Sequence, residues 1–154
     1  MTPTEAPPLA ATVGRGVAAG LAGTAVMTGF QKLVEMPLTG RKDSYAPAKF
    51  AERVLPIGRK RGKARKRLNY AVHFGLGAGW GAAFAAASRA GLRGQRAVVA
   101  VFAVFYATDV ALNTALGLYE PQKWSGRDWA IDVGDKLVQA QASGLVFDRL
   151  SSTS

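Results

Sequence analysis

The 154-residue chain contains no cysteine and only one histidine, His73. Without cysteine it has neither a disulfide framework nor thiol chemistry. A single histidine excludes a multi-histidine metal site, and the sequence has no HExxH pattern, P-loop or Ser–His–Asp set. We therefore expect no catalytic residues, no metal, no cofactor and no enzymatic activity.

Acidic residues are also scarce, because 10 Asp and Glu stand against 20 Lys and Arg, for a net charge of +10. The excess is local: residues 36–67 contain eleven basic and two acidic side chains and so carry +9 of that charge. The remaining chain is nearly neutral and largely apolar. Seven of the basic residues, which we call the basic run, occupy nine positions: Arg59, Lys60, Arg61, Lys63, Arg65, Lys66 and Arg67.

The most apolar stretch, residues 97–118, has 22 residues with Asp109 as its one carboxylate. Roughly 20 mostly apolar residues in a helix span the ~30 Å hydrocarbon layer of a membrane. Three further stretches of similar length predict an all-α, four-helix transmembrane bundle that forms a single domain over residues 13–150. The predicted helices cover about 13–35, 68–90, 96–118 and 126–150, after a Pro-rich tail at residues 1–12 that we expect to be disordered.

The basic loop over residues 36–67 joins the first two predicted helices, and we expect Pro37 to end the first. Residues 44–55 predict a short interfacial helix, with Ser44 as its cap and Pro47 in its first turn. Ser125 and Asp128 have the spacing of a capping box at the start of the fourth helix.

Small residues recur at helical spacing in the first two helices. Gly16 and Gly20 form a GxxxG pair, and alternating glycines in the second helix form two more: Gly75, Gly77, Gly79 and Gly81. In lipid such faces allow helix backbones to approach closely. They predict helix packing, with a homo-oligomer or a membrane partner as a further possibility. A dinucleotide loop is rejected because no strand precedes the glycines.

Lys and Arg accumulate in the cytoplasmic loops of membrane proteins. We therefore place loop 36–67 in the cytoplasm, with loop 119–127 on the same side and both termini outside. If the fourth helix lies in the interface instead of spanning, the C-terminus is inside. The turn that holds Arg89, Arg93 and Arg96 then falls on the outer side, against the rule. We expect the basic run to set this topology and to contact anionic lipid headgroups. Nucleic-acid binding is disfavoured because no aromatic interleaving or recognition helix accompanies it.

Polar residues inside membrane helices face the bundle interior and find partners there. Asp109 and Asn113 share one face of the third helix, and Lys136 follows Asp132 by four residues in the fourth. The predicted intramembrane polar network consists of Glu35, His73, Asp109, Asn113, Asp132, Asp135 and Lys136. Two interpretations stay open: a polar pocket or proton path that opens to the cytoplasm, or a hydrogen-bonded network that fixes the helix register.

Three segments carry a family resemblance: AGLAGTAVMTGFQ at 19–31, NYAVHFGLGAGWGAAF at 69–84 and WAIDVGDKLVQAQASGLVFDRL at 129–150. Together they resemble the small bacterial inner-membrane proteins related to YagU. The resemblance implies a multi-pass protein of the bacterial cytoplasmic membrane and supplies no activity to transfer.

Three function hypotheses follow. The first is a non-enzymatic membrane protein with a structural or accessory role. The second is a small transporter or proton-coupled channel that uses Asp109, Asp132 and Asp135. The third is a soluble, basic helical protein that binds nucleic acid.

Overall fold

The structure is a computed structural model and describes residues 8–152. Over that range the chain is all-helical and contains no strand. Its helices are α1 Leu9–Phe30, α2 Met36–Thr39, α3 Ala46–Val54, α4 Gly62–Arg89, α5 Gly94–Ala115 and α6 Gly126–Ser152. A π-helical turn, Gln31–Glu35, joins α1 to α2, and a short 3₁₀ turn, Pro121–Lys123, precedes α6. The all-α prediction is confirmed.

The first helix is longer at both ends than predicted. It begins at Leu9, so residues 9–12 are helical, while residues 1–7 of the expected tail lie outside the described range. Pro37 does not end it, and a π turn that ends at Glu35 lies two residues before this proline. A proline has no N–H to donate and crowds the carbonyl four residues earlier. The change of register in the π turn accommodates both effects, and the helix ends only at Gly40, whose φ is 72°.

The predicted loop 36–67 is also too long at its C-terminal end, because α4 already begins at Gly62. Residues 63–67 are Lys, Ala and Arg, which are strong helix formers. The basic run is therefore half loop and half helix. The third predicted helix is too long by three residues, since the Leu118 N–H bonds back to the Asn113 carbonyl at 2.8 Å and closes α5.

The predicted capping box of Ser125 and Asp128 is confirmed, whereas the N-cap of α3 is Tyr45 and Ser44 lies one residue before it. The Ser125 N–H donates to Asp128 Oδ2 at 2.9 Å, and the Asp128 N–H donates to Ser125 Oγ at 3.2 Å. Ser44 Oγ accepts the Ala46 N–H at 3.2 Å at the start of α3, which covers residues 46–54 of the predicted 44–55.

The four long helices run up and down in sequence order. Arg127 Nη2 donates to the Thr39 carbonyl at 2.7 Å, which places the start of α6 beside the end of α2. Loops 40–45, 55–61 and 116–125 therefore lie at one end of the bundle, which we call the basic end. Loops 36–67 and 119–127, which are predicted to share one side of a membrane, thus lie at the same end of the bundle.

Close backbone packing joins α1 to α4 and α6. A Cβ added to Gly20 would collide with the Gly77 carbonyl oxygen, and one added to Gly81 would collide with the Gly16 carbonyl oxygen. Gly23 packs equally closely against Ser143 of α6. These GxxxG faces are thus occupied within the chain itself, whereas Gly75 and Gly79 are exposed on α4.

An apolar core fills the end of the bundle opposite to the basic end. Its ten buried members come from α1, α4, α5 and α6: Ala19, Trp80, Phe84, Ala85, Ala87, Ala97, Val98, Val101, Ala140 and Phe147. The four helices are therefore held together by side chains at this end.

Two helical segments in the described range are long and apolar enough to cross a membrane: Leu9–Thr39 and α5. Only 22% of the most apolar stretch of α5 is buried inside the chain. Its outward face carries Val99 and Val104, which are 64% and 62% exposed. α5 is therefore a peripheral helix with an uncovered apolar face, in contrast to the buried core helix of a soluble protein.

Candidate functional site

A cavity of about 420 Å³ lies between α1, α4, α5 and α6 at the basic end. It extends inward to Trp80 and Phe105, whose rings lie 5.4 Å apart against the apolar core. All seven members of the predicted polar network line it: Glu35, His73, Asp109, Asn113, Asp132, Asp135 and Lys136. The bundle thus has a polar half at the basic end and an apolar half beyond it.

A half-buried ion cluster forms one wall of the cavity. Lys136 Nζ lies 2.9 Å from Asp109 Oδ2 and 3.3 Å from Asp132 Oδ1, which confirms the predicted pairing with Asp132. Asn113 Nδ2 donates to Asp109 Oδ1 at 3.0 Å, and Lys136 also lies over the Tyr106 ring, 5.5 Å from its centroid. One cation thus serves two carboxylates, so the cluster carries one excess negative charge.

Asp109 lies between the middle of α5 and its end at the basic end, because Ala115 is six residues, or ~9 Å, further on.

Asp135 forms a second polar site across the α1–α6 interface. Gln31 Nε2 donates to Asp135 Oδ2 at 2.7 Å. The residue is only 8% exposed, and its other oxygen, Oδ1, has no hydrogen-bond partner among the described residues. A buried carboxylate oxygen without a donor is costly, so it marks a position where a ligand donor would be stabilised.

A chain of hydrogen bonds crosses the bundle deeper inside. Gln139 Nε2 donates to Thr24 Oγ1 at 2.9 Å, and Thr24 Oγ1 donates to the Gly20 carbonyl at 2.8 Å. Thr28 Oγ1 donates to the Thr24 carbonyl at 2.8 Å and lies 3.0 Å from His73 Nε2. Because the Thr28 hydroxyl proton is already used, the His73 Nε2–H is the donor in this contact. These bonds fix the mutual register of α1, α4 and α6.

The mouth of the cavity combines charged and aromatic groups. Glu35 accepts from Thr39 at 2.8 Å and lies 3.9 Å from Arg41, and Lys32 pairs with Asp43 at 3.1 Å. Burial raises the pKa of the Tyr119 phenol to about 12, so this group lines the cavity as a neutral hydroxyl at physiological pH.

The basic run lies at the basic end but is not uniform. Arg65 points inward, where it lies 3.6 Å from Glu52 and 5.3 Å from the centroid of the Tyr45 ring. Arg59, Lys60, Arg61, Lys63, Lys66 and Arg67 are exposed. One of the seven basic side chains, Arg65, therefore attaches α3 to α4, and the other six face outward.

Four polar residues that the predicted polar network lacks also belong to the site: Thr24, Thr28, Gln31 and Gln139. Thr28 follows Thr24 by four residues, and Gln31 follows Thr28 by three. This spacing puts the three side chains on one helix face. That pattern identifies a polar face that points at α4 and α6.

The buried hydrogen bond between Gln139 and Thr24 gives a stability prediction. Thr24→Val leaves the Gln139 amide without its acceptor and is expected to lower the free energy of unfolding by about 1–2 kcal/mol. Ser143→Ala is the matched control on α6, because the buried Ser143 hydroxyl has no partner in the described part of the chain. Its effect is expected within about 0.5 kcal/mol. Equal losses in chemical unfolding of the two variants would contradict the assigned bond.

Within residues 8–152, no group of three His, Cys, Asp or Glu side chains is arranged to hold a metal ion. The comparisons with protein-family models, curated proteins and solved structures find no match for this chain. The site is therefore interpreted from its own geometry.

Proposed function

We propose that the chain is a multi-pass integral membrane protein in which α1, α4, α5 and α6 all span the bilayer. The observation that carries this proposal is the uncovered apolar face of α5. The outer face of α1 supports it, because Leu21 and Val26 are exposed there. Residues 68–88 of α4 contain no Asp, Glu, Lys or Arg. At 28 and 27 residues, α4 and α6 are ~40 Å long and exceed the hydrocarbon thickness.

The basic end is proposed to face the cytoplasm. Its exposed Lys and Arg side chains would meet the anionic headgroups of the inner leaflet, each contributing ~1 kcal/mol. This orientation places both ends of the described chain on the outer side, and it supports the inner membrane of a bacterium as the location. The proposed relationship to the YagU-like proteins agrees with that location.

Extraction of membranes with alkaline carbonate tests the proposed class. The protein is expected to stay in the membrane pellet, because four spanning helices bury their apolar faces in lipid. A soluble nucleic-acid-binding bundle would be released into the supernatant, and that release would contradict the proposal.

Topology is tested in intact cells with single cysteines, since the native chain has none. Ser44→Cys, at the basic end, is expected to be protected from an impermeant thiol reagent. Ser152→Cys, at the end of α6, is expected to react. The reverse pattern would invert the proposed orientation.

The function best supported by the geometry is non-enzymatic binding of a small polar or charged ligand in the cavity from the cytoplasmic side. Support comes from the cavity volume, which lies in the range of ligand pockets, and from the convergence of polar side chains from four helices. As an accessory component, the protein would present or sequester that ligand. The cavity ends on Trp80 and Phe105, so it supports one-sided binding better than an open channel.

A matched pair of cysteines on α4 tests access to the cavity. The thiol of His73→Cys, in the cavity wall, is expected to react with a water-soluble methanethiosulfonate added from the cytoplasmic side. The thiol of Ala87→Cys, in the apolar core, is expected to stay unreactive. Equal protection of both positions would show a closed, structural network instead of a binding cavity.

A proton-coupled transporter is the second candidate, and one observation favours it: Asp109, Asp132 and Asp135 all line the cavity. Asp109→Asn is expected to abolish transport if this candidate is correct. If ligand binding persists and only the melting temperature changes, Asp109 has a structural role.

A further inference from the structure

The cavity has a second, lateral opening between α4 and α5. Val98 and Val101 of α5 are buried, at 3% and 5% exposure. Leu112 lies on the same helix face, about four turns after Val98 and three turns after Val101, and is 43% exposed although it lines the cavity. Leu76, opposite on α4, is 45% exposed and also lines the cavity. The side chains between α4 and α5 are thus buried at the apolar end, and the exposure of lining residues on both helices near the basic end indicates the lateral opening.

The lateral opening is lined by small and apolar residues. Leu76, Gly75 and Gly79 lie on the α4 side, and Phe105 and Leu112 lie on the α5 side. In the proposed orientation this opening faces the hydrocarbon layer of the inner leaflet. It therefore leads from lipid into a polar cavity, which suits a molecule that has both a hydrocarbon chain and a polar head.

The charges inside the cavity favour a cationic group on that head. Asp109, Asp132 and Asp135 line its inner wall with Lys136 as the one cation of the ion cluster, which leaves two excess negative charges. Asp135 also has the unpartnered, buried Oδ1. An ammonium group would supply the missing donor and offset the excess charge.

The rim of the cavity carries the opposite charge. Lys42 and Lys66 both line the mouth, and neither has an acidic partner in the range that the structure describes. A basic rim above an acidic interior is complementary to a zwitterion whose anionic group stays at the membrane surface. A phosphate beside an ammonium, with hydrocarbon chains attached, has this arrangement.

We propose that the cavity binds the headgroup of an ammonium-bearing zwitterionic phospholipid, of the phosphatidylethanolamine type, which enters through the lateral opening between α4 and α5. The ammonium pairs with Asp135, the phosphate lies near Lys42 and Lys66, and the acyl chains leave between Leu76 and Leu112. This inference rests on the proposed binding cavity and names its ligand class, with entry from the lipid instead of through the cytoplasmic mouth.

Tryptophan fluorescence provides the test, because Trp80 forms the inner end of the cavity. The chain has three tryptophans, so a Trp124→Phe, Trp129→Phe background leaves Trp80 as the one emitter. The protein is reconstituted with phospholipids brominated in the acyl chains, which quench tryptophan on contact. Three lipids with identical chains are compared: phosphatidylethanolamine, its N-acetylated form without the positive charge, and phosphatidylglycerol.

Phosphatidylethanolamine is expected to bind near Trp80 about tenfold more tightly than the other two, equivalent to ~1.4 kcal/mol. Asp135→Asn is expected to remove that preference. Asp148→Asn is the matched control, because it neutralises an exposed carboxylate on the same helix and should leave the preference unchanged.

Equal quenching by the three lipids would overturn the inference, and this comparison does not need the Asp135→Asn variant. Absence of quenching by all of them would also overturn it and would indicate that protein, such as a second copy, covers the opening. In either case a reactive thiol in His73→Cys would leave the proposed binding cavity intact. Protection of that thiol would instead remove the proposed function itself.

Discussion

Lys136→Met is expected to lower the free energy of unfolding by about 2–3 kcal/mol, between the cost for an exposed ion pair and that for a buried one, because the cluster is half-buried. Lys136 is the cation between Asp109 and Asp132, and its side chain is only 16% exposed. Methionine keeps much of the length of the side chain but leaves two carboxylates facing each other inside the bundle. Unfolding by sodium dodecyl sulfate in mixed micelles measures the loss.

Lys123→Met is the matched control for this variant. Lys123 pairs with Glu120 at 2.7 Å, but both side chains are exposed. Exposed pairs contribute about 0–1 kcal/mol, so little change is expected. Partial recovery of stability in the double variant Asp109→Asn, Lys136→Met would confirm that the loss comes from the uncompensated charge. Equal effects of Lys136→Met and Lys123→Met would contradict the assigned half-buried cluster.

Gly81→Ala is expected to destabilise the bundle by about 3 kcal/mol, at the upper end of the overpacking range. The new methyl group would collide with the Gly16 carbonyl oxygen and with the backbone around Gly20. Backbone atoms cannot rotate away as the end of a side chain can, so α1 and α4 must separate. The same unfolding assay measures the loss.

Gly79→Ala, two residues away on the same helix, is expected to have the opposite sign. Nothing lies within 4 Å of the position where its Cβ would be placed. Alanine is better than glycine in a helix by up to about 1 kcal/mol, so stability should stay equal or rise. A loss in Gly79→Ala as large as that in Gly81→Ala would show that both glycines face a partner, as a GxxxG contact with a second chain requires.

The ends of the helices were predicted well from the sequence where a local signal, such as a capping pair, determines them. The capping pair Ser125 and Asp128 marks the start of α6 correctly because its hydrogen bonds are local. The sequence prediction missed the helical path through Pro37, because a π turn changes the register only in the folded backbone. It also placed the end of α5 too late, since the Leu118 N–H turns back to Asn113.

The members of the site were predicted better than their contacts. Helical spacing put Asp132 and Lys136 on one face, but the shorter contact of Lys136, with Asp109, comes from another helix and has no local signal. Likewise, the periodicity of α1 contains Thr24 and Thr28, whereas their partners Gln139 and His73 follow from tertiary packing. The uncovered inner face of α5 near Leu112 depends on the angle between helices and is not encoded by any one segment.

The central claim is that the apolar outer face of this bundle lies in lipid. A nitroxide attached to Val104→Cys, on the exposed face of α5, tests it directly in phospholipid vesicles by electron paramagnetic resonance. The account predicts high accessibility to oxygen and low accessibility to a water-soluble nickel chelate, with the reverse for Lys63→Cys in the basic run. If the chelate reaches the label at residue 104 as freely as the label at residue 63, α5 lies in water and the membrane account is wrong.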